Sequence, residues 1–507
     1  MEHPRLDKPT PDAAELVEPN LKQQTVAGVI WSAGARIVYQ ALQFVVTVVL
    51  ARLLVPEDFG LIAMIAVFTG FASIFVDFGL AAAIIQRKEV EERHLSSAFW
   101  LNVAAGIALT AIVAALAPAL SALYGESRLL PLILVMAASF ALGSIGIVQK
   151  ALLTRAMNFR RLGAIEVTAA LVGGGTAITA ALMGFGVWSL VIQLFVAAGI
   201  RLVLLWSLSD WRPHLILERE AVQELWRFSR NLAGFSAVNY WSRNADNFLI
   251  GKFVGASGLG IYSRAYSLML MPLEQISAVT ARVMFPALSR IQEDRPRVKR
   301  AYLRAVGIIG LLSFPVTAGL LVVAEPFVLT LYGAKWREVV PVLQILCIAG
   351  LIQPVSATVG WIYTSQGRTD WLFRWGLVSS GTTLLAFGIG IMWGVHGVAV
   401  AYAIRTYVLL YPNFAIPGRL IEMRIREIFH AVRGPLFSAL AMAGLVWAAG
   451  TMLPEAWSPG AVLLAQFGVG VLAYGALVHL FVLKPYLELK DLVRERVRGR
   501  TTVTLPA

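Results

Sequence analysis

The chain has 507 residues, of which 58% are hydrophobic and only 14% charged, against about a quarter charged in an ordinary soluble protein. Apolar runs of about twenty residues recur from residue 25 to residue 484, the length a bilayer core demands, so a soluble fold is excluded. The single cysteine, Cys347, excludes intrachain disulfides and cysteine metal clusters, and the net charge of +13 needs a topological explanation.

In chain order, residues 1–24 are polar with no apolar h-region and read as a cytoplasmic tail rather than a cleavable signal. About fourteen transmembrane helices are predicted, at 25–50, 58–80, 95–122, 129–149, 163–183, 186–208, 229–252, 257–284, 302–324, 336–361, 371–392, 396–417, 435–452 and 460–483. The fold class is therefore an all-α polytopic membrane protein. Alternate connections, such as "QKALLTRAMNFRR" and "SRIQEDRPRVKR", collect most Lys and Arg, whereas "LVPEDFG" and "MGFG" on the other side hold none. Such asymmetry places both termini in the cytoplasm. The basic excess is a topology signal with the phospholipid bilayer as partner, and no nucleic acid is implied.

An internal repeat organises the chain. "ARLLVPEDFGL" at 51–61 resembles "GKFVGASGLGI" at 251–261, with Gly60 on Gly260. "APALSALYG" at 117–125 resembles "EPFVLTLYG" at 325–333, and "GFGVWSLV" from 184 resembles "VHGVAVAY" from 395. The expected organisation is an N-lobe at 25–208, an interfacial amphipathic linker helix at 209–228, a C-lobe at 229–417 and two appended helices with a basic cytoplasmic tail at 418–507. Two parallel six-helix lobes are a known transporter plan.

Charges inside such helices are costly and mark cavities or partners. In the first helix Ser32, Arg36, Gln40, Gln43 and Thr47 share one face, with Tyr39 beside it. In the seventh, Asn239, Arg243, Asp246 and Asn247 sit at i, i+4, i+7 and i+8, a spacing that forms a polar cavity wall and lets Arg243 and Asp246 pair. Arg264 and Arg282 share an azimuth on the eighth helix, and Arg405 lies in the twelfth. Arg201 reads as lobe packing or snorkelling. Asp77, Asp246 and Glu274 are the acidic residues available for H+ or Na+ coupling. Arginine dominates the buried set, and its fork suits a phosphate or diphosphate. Arg36, Arg243, Arg264 and Arg405 are the expected diphosphate ligands, and Ser32, Tyr39, Gln40, Gln43, Asn239 and Asn247 the polar cavity lining.

No Walker A motif occurs, and the six histidines are scattered without metal-ligand spacing. "LVGGGTAITAAL" lies inside a predicted membrane helix and is no phosphate loop. An enzyme is not expected, and no metal or organic cofactor is implied.

The block "LARLLVPEDFGLIAMIAVFTGFASIFVDFGLAAAIIQRKEVEERHLSSAFWLN", with "NADNFLIGKFVGASGLGIYSRAYSLMLMP" and "LYGAKWREVVPVLQIL", resembles the polysaccharide-transporter branch of the multidrug/oligosaccharidyl-lipid/polysaccharide exporter superfamily, in particular the Wzx-type lipopolysaccharide and exopolysaccharide flippases. The resemblance spans roughly residues 22 to 430. It implies a fourteen-helix protein of the bacterial inner membrane that flips undecaprenyl-diphosphate-linked oligosaccharide from the cytoplasmic to the periplasmic leaflet. Polysaccharide polymerase and export proteins would be its partners. A lipid II flippase, a cation-coupled drug antiporter of the same superfamily, and a non-transporting assembly subunit are the competing readings.

Overall fold

The computed structural model describes residues 31, 34–77, 80–86, 90–218, 236, 240–241, 243–481, 483–488 and 490. Ser32 and Asn239 lie outside the described residues, and so do the side chains of Asp77 and Arg282. All regular elements among the described residues are helical, as the apolar runs predict. Among the described residues ten helices are long and apolar enough to cross a bilayer, eleven counting one bent pair as a span. The tally is lower than the fourteen expected partly because Thr369–Ile421, which covers the two expected segments 371–392 and 396–417, counts as one candidate span.

The chain divides into two compact units. Unit 1 comprises residues 1–54 and 64–244, and unit 2 residues 55–63 and 245–507. Unit 1 contains α1 (Gly34–Leu53), most of α2 (Pro56–Asp77), α3 (Leu80–Gln86), α4 (Glu92–Tyr124), α5 (Leu129–Ser144), α6 (Ile147–Arg155), α7 (Phe159–Leu182) and α8 (Trp188–Leu208). Unit 2 contains the first turns of α2, most of α9 (243–253), α10 (Ala256–Arg290), α11 (Arg295–Val322), α12 (Ala324–Leu331), α13 (Val339–Ser356), α14 (Val359–Ser365), α15 (Thr369–Gly390), α16 (Gly394–Val408), α17 (Leu410–Gly418), α18 (Ile425–Met452) and α19 (Pro459–Leu480).

Local chemistry sets the helix ends. Asn158, Asp294 and Ser458 cap α7, α11 and α19 by accepting from the N–H of Arg161, Arg297 and Ala461. The two repeated Leu-Tyr-Gly motifs do the same job in both places. Gly125 ends α4 at φ 70°, and Gly333 follows α12 at φ 91°, a backbone region that glycine enters without a Cβ penalty.

The segment expected as an interfacial helix is extended over its described part, 209–218. Ser96 and Ser97 explain this, because their hydroxyls hold the strap by its backbone. Ser96 Oγ accepts from His214 N–H at 2.9 Å, Ser97 Oγ accepts from Glu218 N–H at 3.0 Å, and Trp100 donates to the His214 carbonyl at 2.8 Å. A helix would turn those donors back on itself.

In unit 2 the core joins Leu288 of α10, Tyr302 and Phe314 of α11, Tyr363 of α14, Phe414 of α17 and Ala439 of α18. Tyr302 and Thr358 share a buried hydrogen bond of 2.7 Å. The thirteenth predicted helix, α18, is thus part of this core, and α19 is tied to α11 by Tyr474 donating to the Leu311 carbonyl at 2.8 Å.

The repeat also accounts for a backbone crossing inside unit 2. A Cβ on Gly60 would strike the Ala256 carbonyl, and one on Gly260 would strike the Pro56 carbonyl. The first turns of α2 and α10 therefore cross backbone against backbone at the two glycines that the repeat aligns, which only a residue without a side chain permits.

Candidate functional site

The polar face of α1 is present and partly committed to packing. Gln43 donates to Tyr39 OH at 3.2 Å, and its carbonyl accepts from Gln193 of α8 at 3.5 Å. Gln193 escaped the sequence reading because a single glutamine in an apolar helix carries no periodic signal. Tyr39, Gln40 and Gln43 are half-buried, whereas Arg36 on the same face is exposed with no ion pair among the described residues.

Arg243 and Asp246 do not pair. The spacing three residues apart permits contact, but the two side chains take different environments. Arg243 is exposed, while Asp246 is 7% exposed and accepts from Tyr262 OH at 3.1 Å and from Asn247 N–H at 2.8 Å. Tyr262 is fully buried and leads into an aromatic series within unit 2. It stacks on Tyr266 with centroids 6.0 Å apart and planes at 15°, and Tyr266 meets Tyr402 edge-on at 6.3 Å. Tyr262 and Tyr266 stand four residues apart on α10, so one face carries both. That spacing was available in "GIYSRAYS", and only the fold shows that it points at Asp246.

Next to Tyr240 and Trp241, the polar stretch 238–255 also packs. In unit 1 the Tyr240 hydroxyl lies 2.9 Å from the carbonyls of Ala66 and Val67, and Trp241 sits 5.6 Å from Phe71. Tyr240 and Trp241 thus give this stretch an aromatic contact with α2 beside its polar residues.

Arg264 is held differently from the other arginines. Its guanidinium lies 4.9 Å over the Phe59 ring, its Nε is buried without a hydrogen-bond partner, and no carboxylate pairs with it among the described residues. Phe59 is fixed in turn by Trp336 at 5.3 Å. A guanidinium resting on an aromatic face keeps its N–H edge for another ligand. Arg405 is more constrained. It bonds the carbonyl of Ser379 on α15 at 2.7 Å and also the Ser379 hydroxyl, leaving Nε unpaired. Arg201 pairs with Glu166 of α7 at 3.0 Å, and Lys150 reaches the same carboxylate at 3.5 Å, so this arginine serves packing inside unit 1. Glu274 is exposed on α10 and Asn247 half-buried on α9.

No group of three or more His, Cys, Asp or Glu among the described residues is placed to hold a metal ion. What the described arrangement offers chemically is guanidinium without carboxylate in both units, amide and phenol hydrogen-bonding groups, and one buried carboxylate against tyrosines. Such a set is chemically suited to anions and to proton exchange.

The family model described as "Polysaccharide biosynthesis protein" matches residues 49–341. The chain is 30% identical over 386 residues to the lipopolysaccharide biosynthesis protein WzxC of Escherichia coli, covering 76% of this chain and 78% of that protein. It is 28% identical to the teichuronic acid biosynthesis protein TuaB of Bacillus subtilis, over 93% of this chain and 98% of the relative. Against the succinoglycan biosynthesis transport protein ExoT of Rhizobium meliloti it is also 28% identical, over 94% and 97%. Among solved structures, the lipid II flippase MurJ in an inward closed conformation superposes with a TM-score of 0.70 at 14% identity, covering 92% of this chain and all of that one. An inward-facing multidrug resistance MATE family transporter superposes at 0.59 and 17% identity, over 76% and 94%. At those identities the two structures establish the shared transporter fold.

Proposed function

This chain belongs to the polysaccharide biosynthesis protein family, and on that premise we propose that it is a flippase for lipid-linked oligosaccharide. The substrate is an undecaprenyl-diphosphate-linked repeat unit of a surface polysaccharide. It moves from the cytoplasmic to the periplasmic leaflet of the inner membrane, with both termini of the protein in the cytoplasm. Relatives named for lipopolysaccharide, teichuronic acid and succinoglycan synthesis support the substrate class, and ExoT is named as a transport protein.

The observation that carries the site is the state of Arg264, a guanidinium stacked on Phe59 with no carboxylate partner among the described residues. A half-buried arginine whose Nε is buried without an internal anion is costly in a membrane, and a diphosphate supplies two negative groups in the geometry the fork accepts. Exposed Arg36 and Arg243 offer charge without internal commitment, while Arg405 is the weakest of the four because Ser379 already occupies it. Gln40, Gln43 and Tyr39 would meet glycan hydroxyls. Asp246 is the preferred coupling residue, and H+ the preferred ion: one carboxylate facing a phenol makes a proton site, whereas Na+ wants a fuller oxygen shell. Polymerase and export proteins of the same pathway would receive the product.

The test is complementation of a strain lacking the protein with Arg264→Ala, Arg264→Lys, Arg36→Ala and Arg243→Ala. Membrane protein level, surface polysaccharide and accumulated undecaprenyl-diphosphate-linked glycan are the readouts. Lost polysaccharide with normal protein level and trapped lipid intermediate supports the assignment. Full polysaccharide in all the alanine variants refutes it.

A further inference from the structure

The break between α5 and α6 in unit 1 gathers polar groups that the transport reading does not use. The two helices form one apolar run bent by 42° between Ser144 and Ile147. Around the bend the usual helical ladder is interrupted. Gly146 N–H bonds the Gly143 carbonyl at 3.3 Å, Ser144 Oγ turns back onto the Ala141 carbonyl at 2.8 Å, and the Ile145 carbonyl takes the indole N–H of Trp206 at 3.2 Å. A gap in the helical hydrogen-bond ladder at membrane depth is tolerated where it lines a site, and carbonyls at such breaks coordinate small cations in transporters.

α4 faces this bend with an unusual residue. A Cβ on Gly106 would lie 2.6 Å from Ser144 Oγ and 2.8 Å from the Phe140 carbonyl, and Thr110 donates to the Ala137 carbonyl at 2.9 Å. The two helices therefore run antiparallel, with residue numbers falling on one as they rise on the other. One turn back from Gly106 brings Asn102 level with Val148 and Gln149, just past the bend. The hydrophobic contacts agree, since Val148 and Ala151 pack with Ala98 and Phe99, one turn before Asn102.

Asn102, Ser144 and Gln149 are each 0% exposed. Both polar side-chain atoms of Asn102 and both of Gln149 have no hydrogen-bond partner among the described residues. Native folds leave very few buried polar groups unpaired, and two whole carboxamides at one helix break need an explanation. Lys150, next to Gln149 in sequence, is already matched, because it shares Glu166 with Arg201.

We propose that Asn102, Gln149 and Ser144 form a binding site for a monovalent cation, Na+ or K+, coordinated by the two carboxamide oxygens, the serine hydroxyl and carbonyls of the broken turn. The donor set selects the ligand. It is all neutral oxygen, which holds a singly charged ion as carbonyl rings do in selectivity filters. Divalent ions call for carboxylates, and softer metals for imidazole or thiolate, neither of which is among these three residues. This site goes beyond the transport reading: it does not depend on which lipid-linked glycan the protein carries, and it is separate from Asp246 in unit 2.

The purified full chain in detergent would be melted in NaCl, KCl and choline chloride at one ionic strength. The expected result is a saturable rise of roughly 3–6 °C in Na+ or K+ over choline. Asn102→Leu combined with Gln149→Met, which replaces both carboxamides by apolar groups of similar size, loses that rise while melting no lower than wild type in choline. Gln466→Met, at a buried amide of α19, keeps it. If the double variant does not fold, Ser144→Ala serves instead and moves the half-saturating cation concentration several-fold higher. Equal melting of the wild type in the three salts would overturn the proposal, and so would an undiminished rise in the double variant or an unchanged half-saturation in Ser144→Ala. The first of these results would leave the amides as a hydration site only.

Discussion

Gly260→Ala tests the backbone crossing of α2 and α10 directly. The added methyl would be driven into the Pro56 carbonyl, with Gly60 N another neighbour at 3.2 Å. Over-packing a well-filled interior by one group costs about 1–3 kcal/mol when side chains can shift. Here the obstacle is peptide backbone on an intact helix, so the cost belongs at the top of that range, ~3 kcal/mol, and the change cannot be absorbed by a rotamer. At a few degrees per kcal/mol, the melting temperature of purified protein should fall by at least ~5 °C. Gly381→Ala is the control: a Cβ there meets nothing within 4 Å, so it should gain up to about 1 kcal/mol of helix propensity and melt no lower than wild type. Scanning fluorimetry in detergent reads both. If Gly260→Ala melts within a degree of wild type, the two first turns do not meet as described and the structural meaning given to the repeat fails.

Tyr262→Phe removes the phenol that donates to Asp246, and should destabilise the protein by about 1–3 kcal/mol in a melting assay because a buried acceptor loses its donor. Asp246→Asn keeps that neighbourhood hydrogen-bonded, so protein level should hold while surface polysaccharide falls; wild-type polysaccharide would remove Asp246 from the cycle. Mutating Glu166 and Arg201 to Gln singly and together should give a coupling energy of roughly 1 kcal/mol, with polysaccharide preserved, and zero coupling would contradict the 3.0 Å pair. In the turn between α4 and α5, hydrogen bonds from Arg128 hold the Glu126 carboxyl below its ordinary value. A depressed carboxyl contributes stability above its unfolded pKa and loses it as pH falls through the folded one, so Glu126→Gln should flatten the acid limb of a melting-versus-pH curve. At a partly solvated pair the effect should stay below about 1 kcal/mol, and an unchanged limb would refute it.

Much of this protein is legible without coordinates, because hydropathy in a bilayer is a strong local signal. Each predicted segment from 25–50 to 460–483 coincides with helix among the described residues, and the repeat alignment of Gly60 with Gly260 marked a real crossing. The first half of the linker, 209–218, misled for a physical reason: Trp211 and Arg212 suggest an amphipathic helix, but Ser96 and Ser97 on a distant helix capture the strap's backbone. Local composition does not encode a partner 118 or more residues away.

The charged sites show the same division. Sequence alone determined that arginines outnumber acids inside the apolar segments, that no catalytic motif is present, and that the chain resembles polysaccharide flippases, since residue type and spacing carry those properties. Helical spacing determined which side chains share a face of one helix, and for that reason it suggested an Arg243–Asp246 pair. Only the tertiary structure decided what each face meets. It gave Asp246 to Tyr262, Arg405 to Ser379, Arg201 to Glu166 and Arg264 to the Phe59 ring. An ion in low dielectric takes the partner that packing brings within hydrogen-bonding reach, and that partner usually comes from another helix.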